Sequence, residues 1–200
     1  MGKLLPLGLA AGVAGALWWR KNPSACPYSQ RFWVQVPHPL ITRARLRETL
    51  EPRPGERILE IGPGTGYYTV ELGGWIGPDG ALDVFDIQQE MLDHTMTQAG
   101  ERGLANVTAT RGDARSLPYG DDAFDAVVLI TVLGEIPDQQ AALAEIARVL
   151  RPGGRLVVGE VAFDPHFVTP GALRDRAEAA GLRLERRNGP ALGYFARFAA

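Results

Sequence analysis

The residues best suited to chemistry in this chain begin with Ile58-Leu59-Glu60-Ile61-Gly62-Pro63-Gly64-Thr65-Gly66, an apolar run that passes into a glycine-rich turn. Glycines at such a junction let the backbone turn tightly and approach a bound molecule closely. Alone, a G-x-G-x-G turn is as often a structural device as a binding loop. Twenty residues after Gly66, the run Leu82-Asp83-Val84-Phe85 ends in Asp86, a carboxylate placed to hold a ribose diol through two hydrogen bonds. Asp86 would also serve as an ordinary N-cap for the stretch that follows, and the two roles are compatible. Arg111-Gly112-Asp113-Ala114 comes after the third apolar run, so Asp113 reaches the same edge and can accept a hydrogen bond from an adenine amino group.

Positioning these groups requires a particular succession of elements. Apolar runs bounded by turn residues at 57–61, 81–86, 107–110, 126–131 and 155–161 read as strands. Ala126-Val127-Val128-Leu129-Ile130 shows no alternation, the pattern of a parallel strand covered on both faces. Helices are predicted over 39–50, 66–76, 88–102, 137–150 and 170–180. In the fourth, Leu143, Ile146, Ala147 and Leu150 form one apolar stripe, with Pro137 near its first position, and Thr169-Pro170 starts the fifth. The tail reads as a β-hairpin of 182–187 and 192–198 around Asn188-Gly189-Pro190. The expected fold class is α/β, a Rossmann-like, doubly wound, mostly parallel seven-stranded sheet with a C-terminal antiparallel hairpin. In such a sheet, ligands bind beyond the carboxyl ends of the strands, near the switch in strand order.

Bulk properties narrow the partners. The 200 residues suit one domain with a short appendage, and 46% apolar with 22% charged residues is ordinary globular usage. A net charge of −2, a pI near 5.9 and no basic block make a nucleic-acid partner unexpected. The single cysteine, Cys26, excludes an internal disulfide and a cysteine-rich zinc site, so no metal is expected.

Residues 1–21 are different in kind. Leu4 to Trp19 carries no charge and is bracketed by Lys3 and by Arg20-Lys21. As a helix it would extend roughly 24 Å, short of the roughly 30 Å hydrocarbon layer, so spanning and lying flat both remain open. Trp18 and Trp19 sit where interfacial aromatics belong, and Arg20, Lys21 and Arg31 outnumber the charges before the run, which orients the main domain to the cytoplasm. A cleaved signal peptide is disfavoured by the bulky residues that follow. The chain therefore divides into a membrane-directed helix at 1–21, a proline- and aromatic-rich linker or cap at 22–38, and a domain at 39–200.

The segments ILEIGPGTGYYTVEL, VFDIQQEML, GDARSLPYGDDAFDAVVL and RVLRPGGRLVVGE, in this order and spacing, resemble the class I S-adenosylmethionine-dependent methyltransferases of the type 11-like group, over residues 40–198. The resemblance implies S-adenosylmethionine as cofactor and assigns roles residue by residue. Glu60 would face the methionine amino group, and Gly62, Gly64 and Gly66 form the loop around the cofactor. Asp86 would hold the ribose hydroxyls, with Ile87 lying on the adenine. Asp113 and Ala114 would read the adenine edge, and Thr131 would offer backbone near the sulfonium. A dehydrogenase is excluded because the loop lacks the G-x-G-x-x-G spacing and because Glu60 would repel a pyrophosphate.

Methyl transfer from a sulfonium needs positioning, desolvation and, for some acceptors, proton removal. Candidates for the last task lie above the strands: His38, Glu135 and His166. A rigid turn between Pro37 and Pro39 explains His38 equally well, and His166 would serve equally as a cap or packing residue. Many small-molecule relatives carry a histidine directly before this acid, whereas Gly134 stands here. A membrane-directed leader on such a domain resembles membrane-bound thiol methyltransferases and phospholipid or quinone methyltransferases. The expected acceptor is a small, lipophilic molecule (lipid headgroup, quinone or thiol) at a membrane surface. The alternative is a catalytically inactive cofactor-binding module on a membrane, and oligomeric state stays open.

Overall fold

The computed structural model describes residues 23–30 and 39–200; the leader at 1–21 and His38 lie outside the described residues. Among the described residues, five α-helices, α1 (Arg43–Leu50), α2 (Thr69–Ile76), α3 (Gln89–Glu101), α4 (Gln139–Val149) and α5 (Pro170–Ala179), accompany seven strands. The strands are β1 (Arg57–Ile61), β2 (Ala81–Asp86), β3 (Val107–Arg111), β4 (Phe124–Ile130), β5 (Leu150–Val161), β6 (Arg183–Asn188) and β7 (Gly193–Ala199). They form one sheet in the order β3-β2-β1-β4-β5-β7-β6. The first five are parallel, and β7 runs antiparallel between β5 and β6. The expected α/β fold is therefore present, with the order switching direction between β1 and β4.

Both faces of the sheet are covered, which is why the strands lack polar alternation. Leu59, Val127, Leu129 and Val158 join Leu143, Ile146 and Leu173 from α4 and α5 in one core. Their neighbours Ile58, Val128 and Val157 point the other way, onto Leu46, Leu72 and Leu92 from α1, α2 and α3. Arg155 stitches β5 to the end of α1: its guanidinium donates to Glu56 at 2.6 and 2.9 Å and to the carbonyl of Leu50 at 2.6 Å. Both partners of this ion pair are almost wholly buried.

Boundaries shift for local reasons. Helix α2 starts at Thr69, not at 66, because Gly64 and Gly66 have φ of 58° and 82°, a left-handed backbone that no helix continues. Pro137 is not the first helical residue; Asp138 caps α4, accepting the Ala141 amide at 3.0 Å. Thr169 caps α5 with Pro170 in its first turn, as the sequence predicts. Strand β4 ends at Ile130 because Thr131 has a φ of 55°.

Candidate functional site

Beyond the carboxyl ends of β1, β2, β4 and β5 lies a cavity of about 750 Å³, within the range of roughly 300–1,000 Å³ usual for ligand sites. Its floor is fixed by extensions of the sheet ladder. The amide of Gly62 donates to Phe85 O, that of Gly112 to Asp86 O and that of Thr131 to Gly159 O, all within 2.9 Å. The turns after β1, β3 and β4 thus start from strands already locked in register.

Gly62 and Gly64 line the cavity, but Gly62 is also required by its protein neighbours. A Cβ on Gly62 would stand 2.3 Å from Val132 Cγ2, and its φ is 70°. Gly66 does not line the cavity; it sits against Thr95 and Gln98 of α3, so its role is to pack helix against loop. Glu60 also lies behind the lining, buried beneath Thr69, whose hydroxyl donates to it at 2.6 Å. Burial pushes the Glu60 carboxyl up to about 7 despite that hydrogen bond.

Asp86, Ile87, Asp113, Ala114 and Thr131 all line the cavity. Asp86 is not the N-cap of α3, a position held by Gln88; its Oδ1 accepts the Gln88 amide at 2.8 Å. Burial raises the Asp86 carboxyl to about 6, against the lowering effect of the Gln88 and Ile87 amides. Ile87 is 52% exposed at the mouth. Asp113 is clamped by Arg115, which donates from its backbone and from Nε and Nη2, the closest contact being 2.7 Å. That pairing lowers the Asp113 carboxyl. Thr131 is a β-branched residue in left-handed backbone, a strained placement of the kind concentrated at ligand sites.

Glu135 and His166 come together on the same wall. Burial, then the nearby Asp164 charge, pushes the Glu135 carboxyl up to about 8, opposed by the Cys26 amide that donates to it at 3.2 Å. His166 follows Asp164 in a tight turn in which Asp164 Oδ1 accepts the His166 amide at 2.7 Å. A Cβ on Gly134 would lie 1.8 Å from the carbonyl oxygen of His166, so no side chain, including the histidine that the resemblance led one to expect, has room at this place. The loop carrying His166 occupies that space instead.

Several lining residues were not foreseen. Phe163 and Asp164 follow β5 as Ile87 follows β2, and the rule that strand ends carry the site would have found them. Ser24, Ala25 and Cys26 cross the mouth as a strap: the Cys26 amide binds Glu135, and the Cys26 carbonyl accepts Gln88 Nε2 at 2.9 Å. No periodicity marks that contact. Behind the wall Glu160, 1% exposed, is pushed up to about 8 by burial, and its Oε1 has no hydrogen-bond partner among the described residues. Carboxyls of Asp86, Glu135 and Asp164 on one cavity, with apolar Ile61, Phe85, Met91 and Val132 between them, suit a cationic ligand bearing a sugar and a flat base. A phosphate-bearing ligand would meet like charge. The chemistry of S-adenosylmethionine fits this set.

The model of the ubiE/COQ5 methyltransferase family matches residues 37–168. The chain is 38% identical over 109 residues to the ubiquinone/menaquinone biosynthesis C-methyltransferase UbiE of Teredinibacter turnerae, covering 54% of this chain and 44% of that protein. It is 42% identical over 121 residues to the demethylmenaquinone methyltransferase of Corynebacterium efficiens, covering 60% and 48%. The chain thus spans about half the length of these relatives. Among solved structures, an S-adenosylmethionine-dependent methyltransferase from Aquifex aeolicus superposes with a TM-score of 0.79 at 20% identity, covering 88% of this chain and 98% of that one. The [4+2]-cyclase SpnF shares the fold at a TM-score of 0.68 and 22% identity, covering 78% of each chain.

Proposed function

The chain belongs to the ubiE/COQ5 methyltransferase family, and from that premise we propose that it transfers a methyl group from S-adenosylmethionine to a ring carbon of a quinone-type acceptor taken from a membrane surface. The observation that carries this reading is the cavity at the switch between β1 and β4, mostly apolar but set with carboxyls, and roofed by the strap at Cys26. The names of the relatives, a ubiquinone/menaquinone biosynthesis C-methyltransferase and a demethylmenaquinone methyltransferase, support the acceptor class.

In this reading Asp86 accepts the ribose hydroxyls and Ile87 covers the base. The Arg115-clamped Asp113 reads the base edge beside Ala114. Gly62 and Gly64 bring backbone close, Thr131 presents its carbonyl, and Glu60 acts from behind the lining as a buried counter-charge for the amino group. When bound, S-adenosylmethionine supplies a methyl group on a leaving group that is already activated. The chain's own task is to orient the acceptor, exclude water and take up a proton. Glu135 suits the last task, because a carboxyl held near neutrality by burial can accept a proton and release it again. His166 lines the same wall and is the second candidate. The apolar side chains of Val132, Ile136 and Phe163 favour a lipophilic acceptor over a polar one.

The test is incubation of the full chain with methyl-labelled S-adenosylmethionine and vesicles carrying a reduced, demethylated prenyl quinone, beside phospholipids and alkyl thiols. Label on the quinone ring is the expected result. Label on lipid or thiol alone would refute the acceptor, and calorimetric binding without transfer to any of them would make the chain a non-catalytic module. Asp86→Ala should abolish binding of the labelled molecule; if binding is unaltered, the site assignment fails.

A further inference from the structure

Among the described residues, three large apolar side chains are exposed: Ile87 at 52%, Phe163 at 65% and Leu192 at 64%. All three lie at the same edge of the sheet. Ile87 follows the carboxyl end of β2, Phe163 that of β5, and Leu192 precedes β7, which runs antiparallel to β5. The Ala162 amide donates to Leu192 O at 2.9 Å, so Phe163 and Leu192 come from adjoining turns. Ile87 and Phe163 also line the cavity. Scattered exposed apolar residues mean little, but the confinement of all three to the sheet edge that carries the cavity does not arise from core packing.

The chain itself points to a bilayer as the occupant. The strap holds Ser24 and Cys26 at this rim, and the uncharged run from Leu4 ends at Trp19. Five residues of fully extended chain reach at most about 18 Å, so the end of that run is tethered within this distance of the cavity mouth. A run of that composition partitions into lipid with Trp18 and Trp19 at the interface. Whatever membrane takes it therefore lies against the edge that carries Ile87, Phe163 and Leu192.

We propose that this rim is a bilayer-docking face, with Phe163 and Leu192 set into the interfacial layer so that the cavity opens toward lipid. The proposal rests on the membrane reading of the leader, and deepens it by assigning the face. The amino-terminal edge of the sheet, where Asp79 is exposed in the turn before β2, then points away from the membrane.

The experiment places a polarity-sensitive fluorophore on Phe163→Cys, Leu192→Cys or Asp79→Cys in the full chain carrying Cys26→Ser. Vesicles of phosphatidylcholine with phosphatidylglycerol, with and without a lipid-borne quencher, are then added. A blue shift with quenching at 163 and 192, and neither at 79, is the expected result. Sedimentation with the vesicles without a shift at 163 or 192 would overturn the docking face while leaving the leader's membrane attachment standing. Failure to sediment would overturn both. A shift at 163 and 192 that needs no vesicles and grows with protein concentration would assign the rim to a second copy of the chain, and the bilayer proposal would fall.

Discussion

Gly134→Ala adds a single methyl group where the structure leaves no room for it. The new Cβ would stand 1.8 Å from the carbonyl oxygen of His166, 2.7 Å from its carbon and 2.9 Å from its Cβ, against ordinary contacts of 3.4 Å and more. The neighbour is backbone, not the end of a flexible side chain, so the turn Leu133–Glu135 and the loop after β5 must separate by ~1.5 Å. Overpacking of this kind costs about 1–3 kcal/mol, and a backbone clash belongs at the upper end. For a chain of this size, about 3 kcal/mol lowers the melting temperature by roughly 6–12 °C. The same movement displaces Glu135 and His166 from one wall of the cavity, and a misplacement of about 1 Å can cost roughly a hundredfold in turnover. Thermal melts and labelled-methyl transfer, the latter well below both melting temperatures, read the two effects separately. Gly74→Ala is the control: that site on α2 is exposed and meets nothing within 4 Å, so the variant should gain about 0.5–1 kcal/mol from helix propensity. A Gly134→Ala protein that melts with the wild type and turns over normally would refute the packing described at this wall.

The unliganded domain should lose stability as pH rises through about 6 to 8, because Asp86, Glu60, Glu135 and Glu160 hold their protons more tightly folded than unfolded. Melts across that interval check this, and a rising melting temperature would contradict it; affinity for the cationic methyl donor should increase over the same range. Arg155→Leu should destabilise by about 3–5 kcal/mol, since it strands the buried Glu56 carboxylate and the Leu50 carbonyl; a urea midpoint near that of the wild type would show the ion pair to be dispensable. Asp86→Asn should weaken donor binding by about tenfold to a hundredfold, the value of one charge-assisted hydrogen bond, with a melting temperature at neutral pH no lower than that of the wild type, as calorimetry and melts would show.

The sheet was legible in the sequence because its strands are covered on both faces and each ends in turn residues. Asp86 and Asp113 could be placed at one edge by that logic alone, Thr131 only by the family resemblance, and the structure puts all three on the cavity. What escaped were contacts with no local signature. Glu56 and Arg155 are far apart in the chain, and nothing near either residue announces the pair. The Cys26 strap is an irregular segment whose peptide satisfies side chains from two distant turns. Glu60 was legible as an acid on β1, but its depth beneath Thr69 depends on how α2 packs, and Gly66 serves α3 and not the cavity for the same reason.

The position of β7 bears on how the domain is made. During synthesis β5 leaves the ribosome long before Tyr194, Phe195 and Phe198, so its hydrogen-bonding edge and the adjoining core stay open until this late strand arrives. The earlier β6 cannot stand in, because in the finished sheet β7 lies between it and β5. The nascent chain therefore passes through an interval in which a sticky edge is unguarded, and a message truncated before Gly193 would yield a product fixed in that state.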